Sequence, residues 1–139
     1  MEKHLYTAIR AALEAGKVIL EIYNTGDFEV QVKDDNSPLT KADIASHRKI
    51  VSCLEKMNIP ILSEEGKAIP YKKRKCWKQL WIVDPIDGTK EFVKRNGEFT
   101  VNIALIENQK PSIGVIFVPA TRDLYFSTKE KGAFKVSVD

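Results

Sequence analysis

The stretch Leu80-Trp81-Ile82-Val83-Asp84-Pro85-Ile86-Asp87-Gly88-Thr89-Lys90-Glu91-Phe92 limits what this chain can fold into more than any other segment. Leu80 to Val83 is an apolar run that reads as a buried strand. It ends in two carboxylates, Asp84 and Asp87, with a proline between them. Pro85 fixes φ and lacks an amide hydrogen, which predicts a broken ladder with Asp84 at the strand end and Asp87 in a turn. Such a turn can aim both carboxylates and the Ile86 carbonyl into one small volume, and hard divalent cations take oxygen ligands of this kind. Gly88 lets the backbone approach a ligand closely. The amides of Gly88 and Thr89 would open a following helix, where an anion is favoured.

Around this stretch the periodicities predict two long helices and a meander. Leu5, Ala8, Ile9, Ala12, Leu13, Val18, Ile19 and Ile22 recur at helical spacing, which predicts a helix from Lys3 to Asn24 stopped near Gly26. Gly16 inside that helix implies close packing against a neighbour. Phe28, Val30 and Val32 alternate with polar residues and predict a short half-exposed strand. Lys33 to Pro38 reads as a polar turn. Thr40-Lys41-Ala42-Asp43 has the form of a capping box, and the helix it starts is predicted to reach Met57. Ile59 to Leu62 reads as a short strand interrupted by Pro60, with Glu64 and Glu65 just beyond it. Lys67 to Lys78 reads as a basic loop, and Lys90 to Arg95 as a short helix. Strands are predicted at Phe99–Leu105, Ile113–Val118, Leu124–Ser127 and Ala133–Val138. The expected fold class is α+β, with two long helices packed on a mainly antiparallel sheet.

A chain of 139 residues suffices for one domain with a real core. Twenty-two basic and nineteen acidic residues leave a net charge of +3, too weak to argue for nucleic acid. No apolar run approaches membrane-spanning length, and Met1-Glu2-Lys3-His4 leads into a helix rather than a signal peptide. Cys53 and Cys76 lack CxxC spacing and read as reduced thiols, so a soluble cytoplasmic protein is expected. His4 and His47 have no partner pattern and read as structural. Lys72-Lys73-Arg74-Lys75 reads as a solvated loop rather than an anion patch.

The acids admit two readings each. Asp84 and Asp87 are either turn formers or metal ligands, and their place between a buried strand and Gly88-Thr89 favours metal. Glu64 and Glu65 are either a solvated pair or, at the end of a neighbouring strand, the completion of that cation cluster. Asp35 reads as a turn residue, and Asp43 as the cap of the second helix, with a catalytic role as its lesser alternative. There is no P-loop and no GxGxxG, so a phosphate site must rest on metals and the Gly88-Thr89 turn.

Taken together, Glu64-Glu65 and Asp84-Pro85-Ile86-Asp87-Gly88-Thr89 resemble the signature of the lithium-sensitive, magnesium-dependent phosphomonoesterases. That family includes inositol monophosphatases, fructose bisphosphatases and 3′(2′),5′-bisphosphate nucleotidases. Thr89-Lys90-Glu91-Phe92 and the run from Lys33 to Asp43 look like the nucleotidase branch. The resemblance implies the N-terminal domain of an αβαβα sandwich. It also implies hydrolysis of adenosine 3′,5′-bisphosphate, a phosphorylated nucleotide, with 3′-phosphoadenosine 5′-phosphosulfate as a second substrate. An inositol monophosphatase-like enzyme is the alternative within the family. Carried over, Glu64, Asp84 and the Ile86 carbonyl would hold one magnesium, and Asp84 with Asp87 a second, giving two or more ions. Glu64, Ile86, Asp87, Gly88 and Thr89 would line the substrate site, the last two binding phosphate through their amides. Asp35 with Thr89 would orient and deprotonate the attacking water. Family members are about twice as long, and their second half supplies a further aspartate in a Trp-Asp-x-Ala-like motif that nothing here matches. The expectation is therefore an N-terminal domain with the C-terminal domain absent. Such a chain would expose an apolar inter-domain face, which invites self-association. It would either retain turnover or only bind metal and phosphate.

Overall fold

The structure, a computed structural model, describes residues 2–34 and 38–139. Helix α1 spans Glu2–Thr25 and α2 spans Lys41–Leu54, extended by a 3-10 turn at Glu55–Met57. Two short helices, α3 (Tyr71–Arg74) and α4 (Thr89–Lys94), follow. The minor strands β1 (Gln31–Val32) and β2 (Pro38–Leu39) pair antiparallel. The main sheet contains β3 (Ile61–Ser63), β4 (Gln79–Asp87), β5 (Thr100–Glu107), β6 (Lys110–Val118), β7 (Asp123–Thr128) and β8 (Gly132–Ser137). Its strands lie in chain order, β3 pairs parallel with β4, and every other pair is antiparallel. The α+β class expected from the sequence is the one observed.

Alternation decides which face is buried. Trp81 and Val83 of β4, Val101, Ile103 and Leu105 of β5, and Ile113, Val115 and Phe117 of β6 all point to one side and are buried. Against them lie Ala8, Ala11, Ala12, Ala15 and Ile19 of α1, together with Ile50 and Leu54 of α2. The alanines let α1 sit close to the sheet. Gly16 takes this furthest, because a Cβ there would stand 2.3 Å from Cε2 of Phe117. Among the described residues neither long helix packs on the opposite face, where Ile82, Ile116 and Tyr125 are exposed.

Local differences from the sequence reading have identifiable causes. Phe28 does not begin a strand. It is buried against Phe92 and Tyr23, at ring-centroid distances of 4.6 and 6.3 Å, and the following Glu29 adopts φ 47°. Only Gln31–Val32 is left to pair, with both residues exposed. Asn108 and Gln109 join β5 to β6 with φ of 51° and 65°, a two-residue turn that lets both strands run longer than predicted. Part of the basic loop winds into α3, with all of Lys72, Lys73 and Arg74 on it. The most consequential difference concerns Pro85. The ladder does not end there but shifts register: Asp84 pairs with Asn102, and Asp87 with Thr100. Two residues of β4, Pro85 and Ile86, thus face one of β5, and the bulge absorbs the missing amide.

Candidate metal and phosphate site

Three elements bring the acids together. Parallel pairing of β3 with β4 matches Ser63 to Val83, and the Glu64 amide donates to the Val83 carbonyl at 3.1 Å. Glu64 therefore emerges beside Asp84 at the same end of the sheet. The bulge then carries the chain through Pro85 and Ile86 to Asp87. From below, the buried Ser46 hydroxyl of α2 donates to the Pro85 carbonyl at 2.8 Å and holds the bulge in place. Glu64, Asp84, Ile86, Asp87, Gly88 and Thr89 line one pocket of about 210 Å³, joined by Lys33, Lys90 and Glu91.

Asp84 is the most perturbed group in this pocket. Its Oδ1 is buried and has no hydrogen-bond partner. Burial first, then the charge of Glu64 and a hydrogen bond shared with it, then the charges of Asp87 and Glu65, push its carboxyl up to about 7. A carboxylate so crowded by negative charge, with one oxygen unsatisfied, is short of a cation. The residues therefore fit a hard divalent ion, with Glu64, Asp84, Asp87 and the Ile86 carbonyl as possible oxygen ligands. The ligand set is not closed: among the described residues no group of three or more His, Cys, Asp or Glu forms a ready cage. Two neighbours already engage acids at the site. Lys33 Nζ lies 3.6 Å from Glu64 and 2.6 Å from Glu65, and the Asn102 side-chain amide donates to Asp87 at 3.1 Å. Glu65, paired to Lys33 and nearly buried, faces away from the lining that Glu64 provides.

Beside the acids the chain turns into α4. Gly88 sits at φ 94°, where a side chain is strained, and a Cβ there would meet the Glu98 carbonyl at 2.8 Å. Glycine is thus the residue that lets β4 close onto α4. The orientation of α4 is locked from behind by an aromatic cluster. Phe92 packs on Phe99 at 5.1 Å, and the Arg95 guanidinium covers Tyr23 at 4.5 Å while donating to its carbonyl at 2.6 Å. The first amides of such a helix have no acceptor within it, and Gly88, Thr89 and Lys90, at its start, line the pocket.

Thr89 is held by a residue that the sequence reading assigned first to capping, with a catalytic role as the lesser alternative. Its hydroxyl donates to Asp43 Oδ1 at 2.9 Å. The other oxygen of Asp43 accepts from the Thr40 amide at 2.9 Å and the Thr40 hydroxyl at 2.7 Å. The predicted capping box is therefore present, and the same fully buried carboxylate also reaches across to the pocket. No local signal identifies that partner, since Thr89 lies 46 positions along the chain. Asp35, expected to act with Thr89, falls outside the described residues. His47 Nδ1 lies 2.8 Å from the Ser63 hydroxyl and His4 packs edge-on against Trp81, both away from the pocket lining.

Comparison with known proteins converges on one group. The description "Inositol monophosphatase family" matches residues 1–138. The 3′(2′),5′-bisphosphate nucleotidase CysQ of Salmonella typhimurium is 46% identical over 123 residues, covering 86% of this chain and 50% of that protein. The crystal structure of CysQ from Bacteroides thetaiotaomicron superposes with a TM-score of 0.87 at 53% identity, over 99% of this chain and 50% of that one. A structure described as 2′AMP-bound SaIMPase-II superposes with a TM-score of 0.77 at 25% identity, over 97% of this chain and 48% of that one. The chain spans about half the length of the curated relatives it matches. Among the described residues no helix is long and apolar enough to cross a membrane.

Proposed function

The chain belongs to the inositol monophosphatase family, and from that premise we propose that it forms the metal- and phosphate-binding half of a 3′(2′),5′-bisphosphate nucleotidase. The reaction is removal of the 3′-phosphate of adenosine 3′,5′-bisphosphate to leave AMP, with 3′-phosphoadenosine 5′-phosphosulfate as a further substrate. Two or more magnesium ions serve as cofactor. The observation that carries this reading is the unsatisfied Asp84 oxygen, set between Glu64 and Asp87 and next to the Thr89–Asp43 pair. Support for a nucleotide substrate comes from the relatives named as bisphosphate nucleotidases and from the 2′AMP bound by a structural neighbour.

In this reading Glu64, Asp84 and the Ile86 carbonyl would hold one cation, and Asp84 with Asp87 would hold a second. Bound divalent metal supplies charge neutralisation and a more acidic water. The chain's own groups do the rest. Amides of Gly88 and Thr89 seat the phosphoryl oxygens. Thr89 gives its proton to Asp43, so the lone pairs of its oxygen remain free to accept from the attacking water. Asp43 is the terminal acceptor of that proton through the threonine hydroxyl. No covalent nucleophile is required. The exposed face of the sheet opposite the long helices, with Ile82 and Ile116, is the surface through which copies would associate.

The test measures phosphate release by the 139-residue chain. Adenosine 3′,5′-bisphosphate and inositol 1-phosphate are compared with and without magnesium, with Asp87→Ala alongside. Magnesium-dependent release from the bisphosphate, lost in Asp87→Ala, is the expected result. Preference for the inositol ester, or release untouched by the substitution, contradicts the proposal.

A further inference from the structure

A second charged cavity lies at the other end of the molecule. Helices α1 and α2 run antiparallel. The Thr7 hydroxyl contacts Met57 Sδ at 3.8 Å at one end, and the Lys41 amide donates to the Phe28 carbonyl at the other. Between their outer faces runs a groove of about 490 Å³, well within the size range of small-molecule sites. Lys3 and Arg10 of α1, Lys49 of α2 and Lys56 of the 3-10 turn that extends α2 line it. Each pair is seven residues apart, two turns on one helical face, so both helices present cations to the same groove. Cys53 and Met57 give it a less polar patch between them.

These four cations differ from the other basic residues of this chain that face acids. Lys33, Lys41, Lys131 and Lys135 each have a carboxylate partner. Among the described residues, Lys3, Arg10, Lys49 and Lys56 have neither an ion pair nor a side-chain hydrogen bond. Glu14 is the single acid lining the groove, and it pairs with none of them. Four like charges around a concave surface raise its potential more than the same charges on a convex one, and an anion entering there relieves their mutual repulsion. Four cations favour an anion that carries several negative charges, which two linked phosphate groups supply. Tyr6, 68% exposed at the rim, adds a flat apolar surface beside them.

We propose that the α1–α2 groove is a binding site for a small polyphosphorylated anion, separate from the carboxylate pocket. The two cavities share no lining residue. Asp43 and Lys56 lie near opposite ends of α2, about 20 Å apart along the helix axis at 1.5 Å per residue. The carboxylate pocket repels anions when no metal is bound, so chelation isolates the groove. This inference does not rest on the proposed function, and either can fail alone.

The experiment titrates inorganic pyrophosphate calorimetrically into the full chain in the presence of a chelator. Saturable binding at one site per chain is expected, with orthophosphate binding more weakly. The double substitution Lys49→Glu with Lys56→Glu should weaken pyrophosphate at least about tenfold. Lys67→Glu with Lys110→Glu, which changes net charge equally but lies outside the groove, should leave affinity within about twofold. Should the first variant lose its helical circular dichroism, Lys3→Gln with Arg10→Gln on the facing helix must reproduce the loss. Absence of saturable binding overturns the proposal. So does equal weakening in the groove variant and the remote variant, which would mean attraction to overall charge, and so does loss of binding in Asp84→Asn.

Discussion

The hydroxyl of Thr89 and the carboxylate of Asp43 are joined by a 2.9 Å hydrogen bond that spans 46 positions of sequence. It links the first residue of α4 to the first turn of α2, and so ties the turn at Gly88 and Thr89 to the core. Asp43 has no solvent exposure, and its second oxygen is occupied by Thr40. One side chain thus caps a helix and orients the hydroxyl at the edge of the pocket.

Replacing Asp43 separates the two roles. Asp43→Asn retains an oxygen but makes it a poor proton acceptor. Phosphate release should fall by about a hundredfold or more, in the range associated with a missing general base. Thermodynamic stability should fall by about 1 kcal/mol from the weakened capping box. Thr89→Val should lose activity similarly while leaving the cap intact. Parallel urea unfolding and steady-state assays distinguish these effects.

The Asp84 carboxyl makes stability depend on pH. Its folded value, pushed up to about 7, stands above its ordinary value of 3.8. Between those pH values the folded protein holds a proton that the unfolded chain has released. Stability of the metal-free chain therefore falls as pH rises from about 4 to about 7 and levels off above. Asp84→Asn should flatten that decline and raise the unfolding midpoint at pH 8. Magnesium should raise the wild-type midpoint at the same pH, because a ligand bound only by the folded state stabilises it.

Gly88→Ala should be costly although it adds one methyl group. The residue sits at φ 94°, and its new Cβ would stand 2.8 Å from a backbone carbonyl that cannot move aside freely. A loss of roughly 1–3 kcal/mol is expected from the strained backbone alone. Activity should fall with it, since α4 and its amides must shift. Urea titration with the assay run in parallel checks both.

Gly16→Ala tests the packing of α1 on the sheet. Its Cβ would overlap the Phe117 ring, so α1 must move or the ring must turn. Overpacking of this kind costs roughly 1–3 kcal/mol. Phe117→Leu in the same chain should recover part of the loss, which a double-mutant cycle measures.

Much of this architecture was legible in the sequence because its periodicities are strong. The apolar faces of α1 and the meander, and the Thr40–Asp43 capping box, are all present in the structure. Gly16 does mark a close approach. What was hidden depends on tertiary partners. Phe28 alternates like a strand residue, but the burial of its ring against Tyr23 and Phe92 outweighs the pattern. Pro85 reads as a strand breaker, yet a bulge opposite Val101 and support from Ser46 let β4 continue to Asp87. Glu64, Asp84 and Asp87 do share a pocket, as their strand-end positions implied. The second role of Asp43 could not be read locally, because its partner is Thr89, far along the chain.

The most direct test of the central claim is calorimetric titration of magnesium into this chain and into Asp84→Asn at pH 8. Saturable binding to the wild-type chain, weakened at least about tenfold in the variant, is the result expected if the Asp84 carboxylate is a cation ligand. Equal binding by both proteins, or none by either, would contradict a cation site at the end of β3 and β4.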